Sequence, residues 1–454
     1  MLNHSLSKSD PGDLATKQMV GEVAVFLEEA ITQFEPDHSA QTRGRPRILP
    51  SLCLWAAMLV CMLDRQTSQM AIWRMIHDYG VFAYPPVGIS DQAVYKRLET
   101  EGEAPLQKLF FHIQNLLSQR LAPLFLARNN RDDLAPFAKD LAPFASEIIA
   151  FDEMTLDQVQ AKLPSLRGVP KGDDQRIPGK IAALFDIRRQ QWRKIEFIDY
   201  FHQNGKVVAR EVVQDLPVGS MILSDLGYFS FPWFDWLTDN HFYYVSRLRQ
   251  KTSKKILHTF AQGPHGFLDA LIDLGAYRAD RAAHAVRLVC IPSGKNLHTY
   301  ITNVTDPQML SAAAIAQLYA RRWDIESAFR MLKQYLNLHL LWSAKPMVIK
   351  QQLWCTLILS SILYALRWEI ALRADVDLFD VSVPLMIQYL PKYFARAKDG
   401  IDPIEMFIKH GFNNGFIRPS RRKVIVAPHI DPSLYVPVPP DLKILRVPRY
   451  ARKQ

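Results

Sequence analysis

The chain has 454 residues, 48% hydrophobic and 22% charged, and its 55 Lys and Arg outnumber 45 Asp and Glu for a formal charge of +10. These values are ordinary for a soluble globular protein and allow two to four domains with substantial cores. The basic balance, with a pI near 9.3, favours an anionic partner, most commonly nucleic acid.

Cys53, Cys61, Cys290 and Cys355 are scattered, with no CxxC pair and no Cys/His cluster. Buried free thiols in a reducing compartment fit better than disulfides or zinc. The polar N-terminus lacks the apolar core of a secretory signal. The most apolar runs, Leu52–Leu63 and Leu353–Leu366, are shorter than the roughly 20 residues of a membrane span. A cytoplasmic protein without a membrane partner is expected.

Met19, Val20, Val23, Phe26 and Leu27 predict a helix over Lys17–Phe34. A Gly/Pro-broken basic arm follows, carrying Arg43, Arg45 and Arg47. It suits a phosphate backbone or minor groove, and equally a solvated linker. Leu49–Leu63 and Ser68–Tyr79 read as two helices. Ser90 is a good N-cap for a helix that projects Gln92, Lys96 and Arg97 from its first turns. That is the pattern of a recognition helix, or of a plain helical hairpin. Residues 1–145 are therefore expected to be all-helical and DNA-binding.

From Ser146 the pattern becomes β-favouring, and a short apolar run ends on Asp152. Residues 181–189 and 192–201 predict a hairpin about Gln190 and Gln191, and Val207–Leu216 a helix. A second apolar run ends on Asp225, before a Gly-Tyr turn. A helix at Phe231–Leu237 and a strand at Phe242–Leu248 complete a mixed α/β order over 146–249. Alternating strands fill 250–308, and 309–372 is helical. The last segment, 373–454, ends in a Pro-broken basic tail that includes Arg421, Arg422 and Lys423. Such a tail can follow phosphates or simply be solvated.

Within 309–372, Tyr319, Arg322, Glu326 and Lys333 are three, four and seven residues apart, near one face of a helix. Ile315, Leu318, Ile325, Phe329, Leu332 and Leu336 supply an apolar stripe. A carboxylate beside two cations suits metal and phosphate. It also suits a surface helix whose Arg322–Glu326 pair is worth roughly 0.2–0.5 kcal/mol.

The spacing Y-x2-R-x3-E-x6-K, with Trp323 after the arginine, resembles the signature around the catalytic glutamate of IS4-family bacterial transposases. The resemblance covers roughly residues 145–370. It implies an α/β, ribonuclease-H-like catalytic core interrupted by a β-rich insertion at 250–308. It also implies that Asp152, Asp225 and Glu326 form a catalytic triad binding Mg2+ or Mn2+. Two such ions about 4 Å apart would serve strand cleavage and strand transfer. Tyr319, Arg322, Trp323 and Lys333 become contacts to double-stranded DNA, namely terminal inverted repeats and target. A homodimer bridging two ends, in a nucleoid-associated cytoplasmic protein, follows from the same resemblance. Leu226 departs from the arginine many relatives carry after the second aspartate, and Glu153 and Asp157 stand as alternatives to Asp152.

Three other readings compete: a catalytically inactive DNA-binding derivative, a stand-alone metal-dependent nuclease, and a structural helical protein. His284 and Arg287 match an HxxR fragment of tyrosine recombinases, but in an alternating strand pattern without a nucleophilic tyrosine. No GxxxxGK[ST] loop calls for a nucleotide cofactor.

Overall fold

The computed structural model describes residues 26–34, 48–64, 66, 68–129, 140–155, 180–198, 205–336, 338, 341–343, 345–396, 402–422, 425–428, 431–440 and 442. The described residues fall into two compact units. One draws on the stretches Met1–Leu134 and Phe329–Ser420. The other draws on Ala135–Thr155, Pro178–Ala328 and Arg421–Gln454.

The first unit is helical. Residues 26–32 are helical, and α1 (Ser51–Leu63) is buried along almost its whole length. The short α2 (Gln69–Arg74) runs into a π-helical turn, Met75–Tyr79, and stops at Gly80. Gly80 has φ +73 and a Cβ site 2.6 Å from the Tyr84 carbonyl oxygen, so no other residue fits there without strain. Helix α3 (Asp91–Thr100) starts where the sequence predicts, with the Ser90 side chain accepting from Ala93 N. Helix α4 is Ala104–Asn129.

The second unit is a nine-stranded sheet. Its strands are β1 (Ile148–Thr155), β2 (Lys180–Asp186), β3 (Gln191–Ile198), β4 (Met221–Ser224), β5 (Tyr243–Arg247), β6 (Lys254–Gln262), β7 (Leu268–Leu274), β8 (Val286–Ser293) and β9 (Asn296–Thr302). The order is β3-β2-β1-β4-β5-β9-β8-β7-β6. Strands β1, β2 and β3 form an antiparallel meander, and β4 and β5 run parallel to β1. Strand β4 is buried on both faces, as a central parallel strand requires. The strands of 250–308 extend this sheet beyond β5. Strand β9 pairs antiparallel with β5, and the other three continue outward from it.

Helices α5 (Gly205–Val213) and α6 (Phe231–Asp239) cover one face. Val208, Val212, Trp233 and Phe234 join a core with Ile149, Phe151, Leu184 and Ile222. Helix α7 (Ala312–Arg321) packs against β5 and β8, and α8 (Trp323–Arg330) follows it. Among its described residues the tail is irregular apart from a short turn at Pro432–Leu434, and it meets the sheet where Val436 N donates to Phe260 O.

The helical unit resumes with α9 (Pro346–Arg373), α10 (Val383–Arg396) and α11 (Pro403–Gly411). At 28 residues α9 is longer than its apolar run implies, and by length and composition it could cross a membrane. It is instead the core helix of its unit, with 83% of its apolar window buried against neighbours that include α4, α1 and α3. Gln351 Nε2 donates to Leu98 O and Lys350 pairs with Glu103, while Gln351 Oε1 is buried without a partner among the described residues.

Candidate active site

The sequence pattern predicts that β1 ends on Asp152. It does not, because β1 runs on to Thr155 in antiparallel pairing with β2. What stops at Asp152 is the parallel ladder to β4, whose last pair is Phe151 with Ser224. Asp225 follows Ser224, so the two aspartates are the next positions in register on neighbouring strands. Asp225 then leads into the 3-10 turn Leu226–Tyr228, closed by Tyr228 N donating to Asp225 O.

Alternation along β1 sends Ile149 and Phe151 into the core beneath α5 and α6 and turns Asp152 to the opposite face. There it meets Arg322, whose Nη1 lies 3.9 Å from Asp152 Oδ2. The Arg322 Nη2 donates to Glu326 Oε1 at 2.7 Å. One guanidinium thus bridges the strand aspartate and the helical glutamate. Burial pushes the Asp152 carboxyl up to about 6, and the charges of Glu326 and Asp225 add to that shift. The Glu153 backbone amide and Arg322 oppose it. Arg322 is desolvated, yet Tyr319, Glu326 and Asp225 keep it firmly protonated. The three carboxylates and Arg322 therefore form one electrostatic cluster.

Glu153 faces the other way. Lys180 Nζ donates to Glu153 Oε2 at 2.6 Å, and the Tyr228 phenol is hydrogen-bonded to the same carboxylate. Burial first, and then Glu153, Asp152 and Asp225, raise the Tyr228 pKa, so its proton stays on. Of the two adjacent acids, Asp152 is the one coupled to Asp225 and Glu326. Asp157 lies outside the described residues.

The expected single helix is interrupted. Helix α7 ends at Arg321, α8 begins at Trp323, and α8 passes into a π-helical turn at Met331–Tyr335. Arg322 keeps helical dihedrals at the junction, so Arg322 and Glu326 still share a face. Tyr319 is buried, packs on Tyr300 at 5.5 Å and lies under the Arg322 guanidinium. It supports Arg322 rather than presenting a free phenol. Trp323 is 52% exposed, with the Arg322 guanidinium 5.2 Å from its ring centre. Lys333 belongs to the helical unit, half-buried on the π-helical turn.

The sequence reading missed Asp324, which is fully buried. It accepts from Gln190 Nε2 at 2.8 Å, Arg321 Nε at 2.7 Å and Arg422 Nη1 at 2.6 Å. Arg321 also donates to Ile187 O. This network ties α8 to the β2–β3 hairpin and to the tail. The Arg321–Asp324 spacing of i,i+3 was its one visible signal.

Two arginines expected to face DNA are committed elsewhere. Arg422 is bound to Asp324, and Arg97 is held by Glu101 and Ser51 Oγ. Gln92, Lys96 and Arg421 are exposed. Arg43, Arg45, Arg47 and Lys423 lie outside the described residues. Arg287 of the HxxR fragment is wholly buried and doubly bonded to Asp269, which removes it as a reactive-site arginine.

Three carboxylates offer hard oxygen donors, the chemistry that Mg2+ and Mn2+ select. Among the described residues no three His, Cys, Asp or Glu side chains are gathered closely enough to hold an ion, and Arg322 supplies the balancing charge. The donor chemistry is that of such a metal, and the carboxylates would have to draw together around an ion to hold it. Arg322 Nε is buried without a hydrogen-bond partner among the described residues, a donor that an anionic oxygen would satisfy.

The family model described as "Transposase DDE domain" matches residues 185–362. That span contains Asp225, Tyr319, Arg322 and Glu326, while Asp152 precedes it. The chain is also similar to the "Putative transposase y4zB" of Sinorhizobium fredii (strain NBRC 101917 / NGR234), 23% identical over 238 residues. Both similarities are to transposases, and the first is to their DDE domain. The similarity to that relative spans 51% of this chain and 63% of the relative, less than two thirds of its length. Among solved structures, a piggyBac transposase synaptic complex with hairpin DNA is similar over 91% of this chain and 86% of that one. Its TM-score is 0.39 and its identity 9%.

Proposed function

We propose that this chain is an insertion-sequence transposase of the IS4 family. On this reading it binds the terminal inverted repeats of its element, cleaves the 3′ ends and joins them to target DNA. The observation that carries the reading is Arg322, which bridges Asp152 and Glu326, with Asp225 at the next position in register beside Asp152. The strand order β3-β2-β1-β4-β5, with β1, β4 and β5 parallel, supports a ribonuclease-H-like core.

Asp152, Asp225 and Glu326 would hold Mg2+ or Mn2+, which when bound activates a water or 3′-hydroxyl and stabilises the departing 3′-oxygen. Arg322, bridging two of the three carboxylates, neutralises them and has a free Nε–H with which to hold a phosphate oxygen. Trp323 offers an exposed ring at the same place, suited to stacking on a base. Gln92, Lys96 and Arg421 are the described exposed residues kept as DNA contacts, and the basic arm Arg43–Arg47 and Lys423 complete that set. Helical residues 1–145 as a DNA-binding domain, the boundaries at 249, 308 and 372, a homodimer in the synaptic complex and a nucleoid location belong to the same proposal.

The test is cleavage of a labelled duplex made from the DNA flanking this gene, with Mg2+, by wild type and by Asp225→Ala. Nicking at the element boundary that requires the metal and vanishes in the variant is expected. Specific binding without any cut, from folded wild type, would overturn the enzymatic reading in favour of a binding-only protein.

A further inference from the structure

The parallel register that aligns Asp152 with Asp225 extends one strand further. Leu223 of β4 pairs with Val245 of β5, which puts Arg247 level with Asp225 two positions on. A carboxylate, a carboxylate and a guanidinium thus stand in one row across β1, β4 and β5. Equal register on parallel strands means the same face of the sheet. The electrostatic influence of Arg247 on Tyr300, Tyr319 and His298 agrees with that placement.

Chain continues from Arg247 through Arg249 and Lys251 to Lys254 and Lys255, with no acid in between. All five cations are exposed, and among the described residues none has a carboxylate partner. Arg97, Arg188, Arg193, Lys194 and Arg287 are all paired with acids, whereas these five cations, on the β5–β6 turn and the strand ends beside it, are not. The turn is also tied to the candidate site. Arg249 Nη2 donates to Leu226 O, the residue after Asp225, and its guanidinium lies 5.4 Å from the Phe229 ring centre. Lys251 turns the chain in a left-handed conformation, with φ 63.

We propose that the β5–β6 turn is a DNA backbone track, with Arg247, Arg249, Lys251, Lys254 and Lys255 contacting successive phosphates of a duplex that enters the site beside Asp225. This rests on the DNA-cleaving reading above and adds the surface that holds the duplex outside the carboxylates. Five exposed cations that form no ion pair among the described residues match a polyanion of regularly spaced single charges, and their contact releases condensed counterions. The occupant is double-stranded DNA recognised through its backbone, independent of sequence.

The experiment uses the full-length chain and a fluorescein-labelled random-sequence duplex, with anisotropy read across a KCl series. The triple variant Lys251→Gln, Lys254→Gln, Lys255→Gln is compared with wild type, and circular dichroism checks that both are folded. Loss of three phosphate contacts should lower the slope of log K against log salt by about 2–3 and weaken binding about tenfold or more near physiological salt. Wild-type binding with an unchanged slope and affinity in the triple variant overturns the track and leaves the DNA-cleaving reading intact. No duplex binding by wild type at low salt overturns both. Strong binding by the turn to an acidic protein, with no effect of the triple variant on DNA, assigns the surface to a protein partner instead.

Discussion

Asp324 is the group on which the seating of α8 depends most, and Asp324→Asn tests it. The carboxylate has no solvent exposure and receives three donors, from Gln190, Arg321 and Arg422. Asparagine keeps the shape, removes the charge and turns an amide donor towards a ring of donors. Arg321, with a side chain only 8% exposed, is then a buried cation without its counter-charge. Breaking a buried pair in this way costs about 3–5 kcal/mol. Arg422→Ala is the comparison. It leaves Asp324 paired with Arg321, and the Arg422 side chain is 24% exposed, so the loss approaches that of one charged hydrogen bond, about 1.5–3 kcal/mol. Urea unfolding followed by circular dichroism and tryptophan fluorescence measures both. The double variant should cost less than the sum, because the two groups share one bond. An Asp324→Asn cost below about 1 kcal/mol, or below that of Arg422→Ala, would refute the claim that this buried carboxylate anchors the helix.

Three further outcomes follow from the packing and charge pairing of the molecule. Gly275 has φ +77, and a Cβ there would sit 2.7 Å from the Phe231 ring, so Gly275→Ala should cost about 2–4 kcal/mol in the same unfolding assay. An effect under 1 kcal/mol would show that the ring moves aside freely. Asp269 and Arg287 are both wholly buried, so Arg287→Met alone should cost about 3–5 kcal/mol, while Arg287→Met with Asp269→Leu should recover most of it. Equal loss in both variants would contradict the desolvation argument.

For Asp402, burial alone would raise the carboxyl, but Arg373 and the backbone amides of Ile404 and Glu405 hold it below the ordinary range. Its stabilising contribution is complete above the unfolded carboxylate value of about 3.9 and fades as pH falls through the lower folded value. Asp402→Asn should therefore be less stable than wild type at neutral pH, with the gap closing in more acidic solution. A gap that is constant over that range would remove Asp402 as its source.

What the sequence determined by itself was local. Ser90 capped the helix that follows it, Gln190 turned the predicted hairpin, and the apolar runs before Asp152 and Asp225 became neighbouring strands. Caps, turns and alternation depend on contacts within a few residues, so they can be read along the chain. The pairing of Arg322 with Glu326 was legible for the same reason, being one turn apart.

Tertiary structure decided whatever depended on which strand lies beside which. The segment 250–308 read as a β-rich insertion, and only the pairing between β5 and β9 fixed where its strands join the sheet. Asp324 and Glu326 stand two residues apart and look alike in sequence. Only packing against Gln190 and Arg422 buried the first, while the second stayed with Arg322. Arg97 and Arg422 looked like free cations until their distant partners, Ser51 and Asp324, came within reach. Register aligned Asp152, Asp225 and Arg247, and register is a non-local property. It is set by long-range pairing of buried strands, and no window of sequence contains both partners.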